Sequence, residues 1–255
     1  MKNLATFIIT SSTCSFNLQP EWEYRWSEPA GLPHPNQVLA ALPELPKQVG
    51  FLLDEDLLLP QKVDRDPQVQ NRDLAGWLLW KTKKFLPFPA DQARQQAVLL
   101  GENWLTFTLP KPWVQSLCQN LEQKGIHCGL IGGVFDQLSR ESHLWNQALI
   151  LLFQDFWIFA ELGSKGEWQQ FRLRRLPLEP NGDLDIQTLV QIDGTQAAQS
   201  LTEGKSTQLL ILDRQWDHHA DQLAQAFQRG FPTLSAPTLS GTRAQRLIQI
   251  RLGAS

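Results

Sequence analysis

The chain has 255 residues, enough for one large domain or two modest ones with cores of their own. Its 42% apolar and 19% charged content is ordinary for a globular protein, and a net charge of -3 gives no reason to expect nucleic acid or an anionic bilayer as a partner. Three cysteines, Cys14, Cys118 and Cys128, form no CxxC pair, which argues against a disulfide framework or a zinc site and suits a reducing cytoplasm.

A bilayer span needs about 20 apolar residues in a row. The run 148–162 comes nearest, but Gln154, Asp155 and Glu161 interrupt it. The N-terminus has Lys2 and a short apolar run, which the polar residues 10–15 cut short, so it lacks the shape of a signal peptide. Ten tryptophans, several in polar surroundings, lean toward a binding protein.

In chain order, 5–9 is a short apolar strand, Thr10-Ser11-Ser12-Thr13 a polar turn, and 14–18 the returning strand. Residues 22–35 read as irregular, broken by Pro29, Gly31, Pro33 and Pro35. A short helix is expected at 36–42 and, past Pro43 and Pro46, a buried strand at 49–53. Asp54-Glu55-Asp56 makes an acidic turn, and 57–59 starts a strand that Pro60 ends.

The most informative stretch follows. Asp66 and Pro67 suit the start of a helix, along which Leu74, Trp77, Leu78 and Phe85 make an apolar stripe. Lys81, Lys83 and Lys84 crowd its last turn, where cations favour the helix dipole. Pro87 and Pro89 then impose a rigid corner, Leu86-Pro87-Phe88-Pro89. Beyond it, 103–109 alternates as a strand. Pro112 opens a helix carrying Trp113, Leu117 and Leu121, and Gly125 stops it. A strand at 126–131 is broken by Gly132-Gly133 before a short helix at 134–138.

The second half restarts with three strands of an antiparallel meander, 147–153, 156–162 and 168–173, with a Gly163-Ser164-Lys165-Gly166 turn. A helix at 184–201 is weakened by Asp193-Gly194. A buried strand at 209–212, a helix at 216–229 and a final strand at 247–252 complete the chain.

The apparent catalytic motifs are weak. Gly204-Lys205-Ser206 lacks the earlier glycine of a P-loop, since Gln199 stands there, and reads as a solvated turn. On a helix His218 and Asp221 share a face while His219 points away, which leaves a metal without a third ligand. His127 and Cys128 are adjacent strand residues and cannot pair. Asp54, Glu55 and Asp56 read as turn chemistry, and Gly129-Leu130-Ile131-Gly132-Gly133 is not a dinucleotide fingerprint. Arg172 and Arg174 share a strand face, most simply a solvated one.

The order of these elements carries a resemblance. A Trp- and Lys-rich helix runs into Leu86-Pro87-Phe88-Pro89, then Asp91-Gln92-Ala93, a strand, the helix from Trp113 to Lys124, Gly125-Ile126 and a glycine-bearing strand. This is similar to PilM, the actin-like assembly protein of type IV pili, and to the cytoplasmic part of GspL of type II secretion. The meander from 148 to 176 resembles the opening of the second actin-like lobe. The resemblance implies an α/β, two-lobed, ribonuclease H-like fold: a first lobe over 1–142 with an inserted subdomain at about 49–109, and a shortened second lobe over 143–255.

It further implies a cytoplasmic scaffold, peripheral to the inner membrane, in a type IV pilus or type II secretion-like apparatus. Its partner would be the cytoplasmic tail of a PilN-like bitopic protein, with self-association as a second mode. The groove is expected between the first-lobe core and the insert, with Trp77, Trp80, Leu86, Phe88 and Trp104 as wall or rim, and the three lysines facing acidic lipid or a partner carboxylate. Nucleotide turns of this fold use glycines and an aspartate. The matching stretches here, 7–13, Phe153-Gln154-Asp155-Phe156 and Asp213-Arg214-Gln215-Trp216, have lost their glycines. ATP and Mg binding is therefore expected to be degenerate, with Thr10, Ser11, Ser12, Thr13 and Asp155 as its remnants and no catalysis. The alternative is an active actin-like or sugar-kinase-like ATPase with atypical phosphate turns using those same residues.

Overall fold

The computed structural model describes residues 4–26, 31–42, 46–54, 57–202 and 204–253. The chain divides into two compact units, Met1–Leu138 and Ser139–Ser255. Pro29 and Pro43, and Glu55 and Asp56 of the expected acidic turn, lie outside the described residues.

The first unit opens with three antiparallel strands, β1 (Ala5–Ile9), β2 (Thr13–Phe16) and β3 (Gln19–Arg25). Strand β4 (Gln48–Leu53) runs parallel to β1, and β8 (His127–Gly133) runs parallel to β4, giving the order β3-β2-β1-β4-β8. Every residue of β1 is buried, as a central strand covered on both faces requires. Phe7 stacks on Phe16 at 4.3 Å and lies 5.8 Å from Phe51, so one aromatic column spans β2, β1 and β4. Full burial of each ring stabilises the unit by about 1.5–3 kcal/mol.

Helix α1 (Pro35–Ala41) starts at His34, whose side chain accepts from Asn36 N while Gln37 accepts from His34 N. Helix α3 (Lys111–Gln123) has a proline in its first turn, buries Trp113, Leu117 and Leu121, and is followed by Gly125 at φ 70°, a left-handed stop. Trp113 Nε1 donates to Pro33 O at 2.7 Å, tying α3 to the approach to α1.

Between β4 and α3 the chain leaves the sheet. β5 (Gln61–Asp64), β6 (Ala93–Leu100) and β7 (Asn103–Pro110) pair antiparallel outside the five-stranded sheet, with β7 between β5 and β6, and α2 (Leu74–Thr82) lies between β5 and β6 in the chain. Val49 to Leu53 pairs within the five-stranded sheet, and the first unit's strands outside it run from Gln61 to Pro110.

The second unit repeats the first unit's strand order. β9 (Gln147–Leu152), β10 (Phe156–Leu162) and β11 (Trp168–Arg175) form an antiparallel meander; β12 (Ser206–Ile211) joins parallel to β9, and β13 (Leu234–Ser235) parallel to β12. The meander is followed by one helical run: α5 (Ile186–Thr188), a π segment Leu189–Gly194 and α6 (Thr195–Gln199). Between β12 and β13 come a 3-10 turn Arg214–His219 and α7 (Ala220–Gln228). Trp157, Phe159, Leu189, Leu223, Phe227 and Phe231 make the core under these helices.

Several expectations are corrected. Residues 247–252 are not a strand but the end of α8 (Arg243–Leu252), begun by a capping box of Thr242 and Gln245. Residues 57–59 are not extended; Leu59 has φ 24°, and the strand begins at Gln61, beyond Pro60. Residues 19–25, partly read as irregular, form edge strand β3. The helix expected from Asp66 begins at Leu74, because the Asp66 side chain accepts from Gln68 N at 2.9 Å and makes a turn instead. Gly132 and Gly133 do not break β8 but complete it. A short helix α4 (Val134–Leu138) follows as expected. No helix among the described residues is long and apolar enough to cross a membrane.

Candidate functional site

β8 is the last strand of the first sheet, so one of its backbone edges has no strand partner among the described residues. Along β8 lies a groove of about 230 Å³. Its walls are Ile131, Gly132 and Gly133 of β8, Arg94, Gln95 and Gln96 of β6, Phe107 and Leu109 of β7, and Leu58. The β6 wall is fixed from behind. Gln96 Nε2 donates to Asp136 Oδ2 at 3.1 Å, joining β6 to α4. Gln95 Nε2 donates to Thr82 Oγ1 at 2.9 Å and to Thr108 Oγ1 at 3.1 Å, joining β6 to α2 and β7. A Cβ at Gly132 would lie in ordinary van der Waals contact with Gln96 Oε1 and Leu130 Cδ1 at 3.8 Å, so the groove floor there has room for a methyl but is closely walled. The chemistry on offer is an apolar floor, amide donors and acceptors, one exposed guanidinium and a strand edge. That set suits an extended peptide. A larger hollow of about 510 Å³ in the second unit is lined by Val190, Ala198, Phe227 and Phe231, but it borders no open strand edge.

None of the five aromatic or apolar residues singled out in the sequence is part of this lining. Trp77 and Trp80 come together on α2, each under Lys81 Nζ, at 5.5 and 5.3 Å from the ring centres. Trp80 is 58% exposed and Phe85 61%, an unusual display for two large rings. Leu86 and Phe88 are half-buried in the corner, where Leu86 is extended at ψ 135° as Pro87 demands. Trp104 stands on β7 opposite Leu99 and Val63. The groove residues were missed because Arg94, Gln95 and Gln96 carry no pattern of their own; only the glycines of β8 gave a signal.

The turns expected to hold phosphate are occupied by their own side chains. In the first unit Thr10 Oγ1 accepts from Ser12 N at 3.3 Å and Thr13 N at 2.9 Å, while Thr10 N donates to Thr13 O at 2.8 Å. Thr10 and Thr13 are buried, and Ser11 and Ser12 half-buried. In the second unit Phe153 and Phe156 stack at 4.3 Å across the Gln154-Asp155 turn, and Asp155 itself is exposed. Gln154 O accepts from Gln215 Nε2. Asp213 accepts from Gln215 N and pairs with Arg243 at 3.1 Å. Backbone N–H groups of Ser12, Thr13 and Gln215 are thus already bonded within the chain, which leaves fewer donors for an anion.

Two of the discounted motifs have a different environment from the one expected. Lys205 is not solvated. It is 5% exposed, donates to Leu162 O and Gln169 Oε1, and lies 2.7 Å from the fully buried Glu161. His219 does not point away from His218. Both precede α7 in the 3-10 turn, their ring centres are 3.9 Å apart, and Asp183, far away in sequence, supplies a third group. Cys128 is a half-buried thiol; burial, then neighbouring Cys118, pushes its pKa up to about 12, which keeps it protonated and a poor nucleophile. Arg172 is half-buried and Arg174 exposed on β11.

No protein-family model and no curated protein sequence matches the chain. Solved structures do. A Bacteroides thetaiotaomicron protein described as having an actin-like ATPase fold and unknown function aligns over 96% of this chain and 95% of its own, at 9% identity and TM-score 0.57. A structure of the PilM–PilN type IV pilus biogenesis complex aligns over 92% and 88%, at 13% identity and TM-score 0.51. The cytoplasmic domain of EpsL, an inner membrane component of the Vibrio cholerae type II secretion system, aligns over 99% and 95%, at 15% identity and TM-score 0.47. The first two likenesses agree with a strand order that both units repeat, meander first and two parallel strands after. The chain has the α/β actin-like ATPase fold.

Proposed function

We propose that this protein is a non-catalytic actin-like scaffold of an inner-membrane pilus or secretion assembly, and that it holds the cytoplasmic tail of a bitopic membrane partner. The observation that supports this reading most is the groove beside the open edge of β8. An extended tail would add its backbone to that edge and set its side chains against Phe107, Leu109 and Ile131, with Arg94 at the mouth for a carboxylate. The PilM–PilN complex, at 13% identity, is a precedent for the partnership in another protein. Trp77, Trp80, Leu86, Phe88 and Trp104 are proposed as outlying contacts for the part of the tail beyond the groove, or for the lipid surface that it leaves. The self-bonded turns at Thr10–Thr13 and Asp213–Gln215 support degenerate nucleotide binding.

The test is fluorescence anisotropy with a labelled tail peptide from a bitopic membrane protein encoded beside this gene. Gly132→Leu fills the groove floor and Arg94→Ala removes its charge; each is expected to weaken binding at least about tenfold, or about 1.4 kcal/mol. Full binding by both variants overturns the groove. Loss confined to a Trp80→Ala, Phe88→Ala double variant would move the site to α2 and the corner after it.

A further inference from the structure

We propose that Asp183, His218 and His219 form a binding site for a borderline divalent transition-metal ion, zinc above all. One carboxylate oxygen and one imidazole nitrogen from each histidine lie within 4.8 Å of one another. His219 Nε2 is 2.6 Å from Asp183 Oδ1, and His218 Nε2 is 3.8 Å from the same oxygen. A hydrogen bond between His219 and Asp183 accounts for two of the three groups. It leaves His218 Nε2 3.8 Å from the same oxygen, beyond hydrogen-bond range, with its ring centre 3.9 Å from that of His219. Tetrahedral zinc with bonds of about 2.0–2.2 Å separates its ligand atoms by about 3.3 Å. The observed separations bracket that value, so a small opening of the His219–Asp183 contact admits the ion.

Both sides of the site are braced. Asp183 N donates to Asn181 Oδ1, Leu184 N donates to Asp183 Oδ1, and Glu179 N donates to Asp183 O, which fixes the loop. The histidine turn is anchored by Trp216 Nε1 on Phe153 O at 2.8 Å, and by Arg246, which grips Asp217 with two bonds of 2.6 and 2.7 Å. Ligands held by such outer contacts lose little freedom on binding. Two imidazoles and one carboxylate favour zinc, copper or nickel over calcium or magnesium, which prefer all-oxygen sites. Three protein ligands leave a position for water or for a side chain from another molecule.

The experiment is calorimetric titration of the metal-free full chain with zinc chloride, followed by cobalt(II) substitution read in the visible spectrum. One saturable site is expected, with cobalt bands that report nitrogen and oxygen ligation. His218→Ala, which leaves the His219–Asp183 contact in place, is expected to weaken zinc binding at least about tenfold. Asp183→Asn is expected to do the same, and His127→Ala, on an exposed residue elsewhere, to change nothing. Circular dichroism verifies that each variant is folded. Absence of saturable zinc uptake by the unmodified chain, or full uptake by His218→Ala or by Asp183→Asn, overturns the proposal.

Discussion

Burying Lys205 and Glu161 together strips two charges of water, and only their mutual attraction and the bonds around them offset that cost. The lysine ammonium donates to Leu162 O and Gln169 Oε1, and its Nζ lies 2.7 Å from Glu161 Oε1, the distance of a charge-assisted contact. Lys205→Met leaves that carboxylate buried and uncompensated, and should cost about 3–5 kcal/mol in chemical denaturation. Adding Glu161→Leu should restore most of the loss; a double variant no better than the single would show that the two do not act as a pair. Asp185 is half-buried. It accepts from the Thr188 side chain at 2.6 Å and from Thr188 N at 2.9 Å, and these bonds hold its carboxyl below the ordinary 3.8. A folded value below the unfolded one contributes stability above the unfolded pKa and loses it as pH falls through the folded one. Asp185→Asn should therefore lower the melting temperature at neutral pH, leave it nearly unchanged in strong acid, and so flatten the acid limb of the profile. The Lys205 pairing and the meeting of Asp183 with His218 were not legible in the residue string. Lys205 sits in a Gly-Lys-Ser that looks like a turn, and its partner comes 44 positions earlier on another strand. Asp183 lies 35 positions before His218, and no spacing rule reaches that far.

Elements were legible where one face or both faces must be apolar. β1, β4, β9, β10 and β12 are buried strands and stand in the sequence as short apolar runs. α3 was legible from its proline, its stripe and Gly125. β3 was not, because Gln19, Glu21, Tyr24 and Arg25 are exposed and an edge strand needs no apolar alternation. α8 was misread for a different reason. Leu247, Ile248 and Ile250 look like a strand core, but Thr242 and Gln245 form a capping box, and that signature was present in the sequence. The Gly163–Gly166 turn shows how an element boundary constrains one residue. Gly166 has φ 77°, and a Cβ there would collide with Ser139 O and the Trp145 indole, which hydrogen-bond to each other at 2.8 Å. Gly166→Ala should cost at least about 2 kcal/mol, since the left-handed backbone alone is worth about 1–2 kcal/mol and the collision adds to it. The denaturant midpoint measures this, and Ser164→Ala in the same turn, which meets neither constraint, should be close to neutral.

At the scale of the whole molecule the same strand order occurs twice, and in each unit the first two strands of the meander are joined by a turn, the place where a phosphate would need free backbone N–H groups. Here the two turns are closed by different means. Thr10 closes the first with its own hydroxyl, and the Phe153–Phe156 stack closes the second. Opening either for a phosphate would cost the hydrogen bonds or the ring contact it now makes, so Mg-ATP should bind too weakly to matter. A thermal melt is sensitive enough to decide. A ligand at a hundred times its dissociation constant adds about 2.7 kcal/mol to the folded state. For a chain of this size that raises the melting temperature by about 5–10 °C. The expected outcome is no rise with Mg-ATP over the unliganded protein, together with no saturable heat in calorimetry. A rise of several degrees that disappears in Asp155→Ala would instead assign this chain an active nucleotide site with atypical turns. The groove reading would stand or fall separately, because its residues are Leu58 and residues of β6, β7 and β8, and it shares none with either turn.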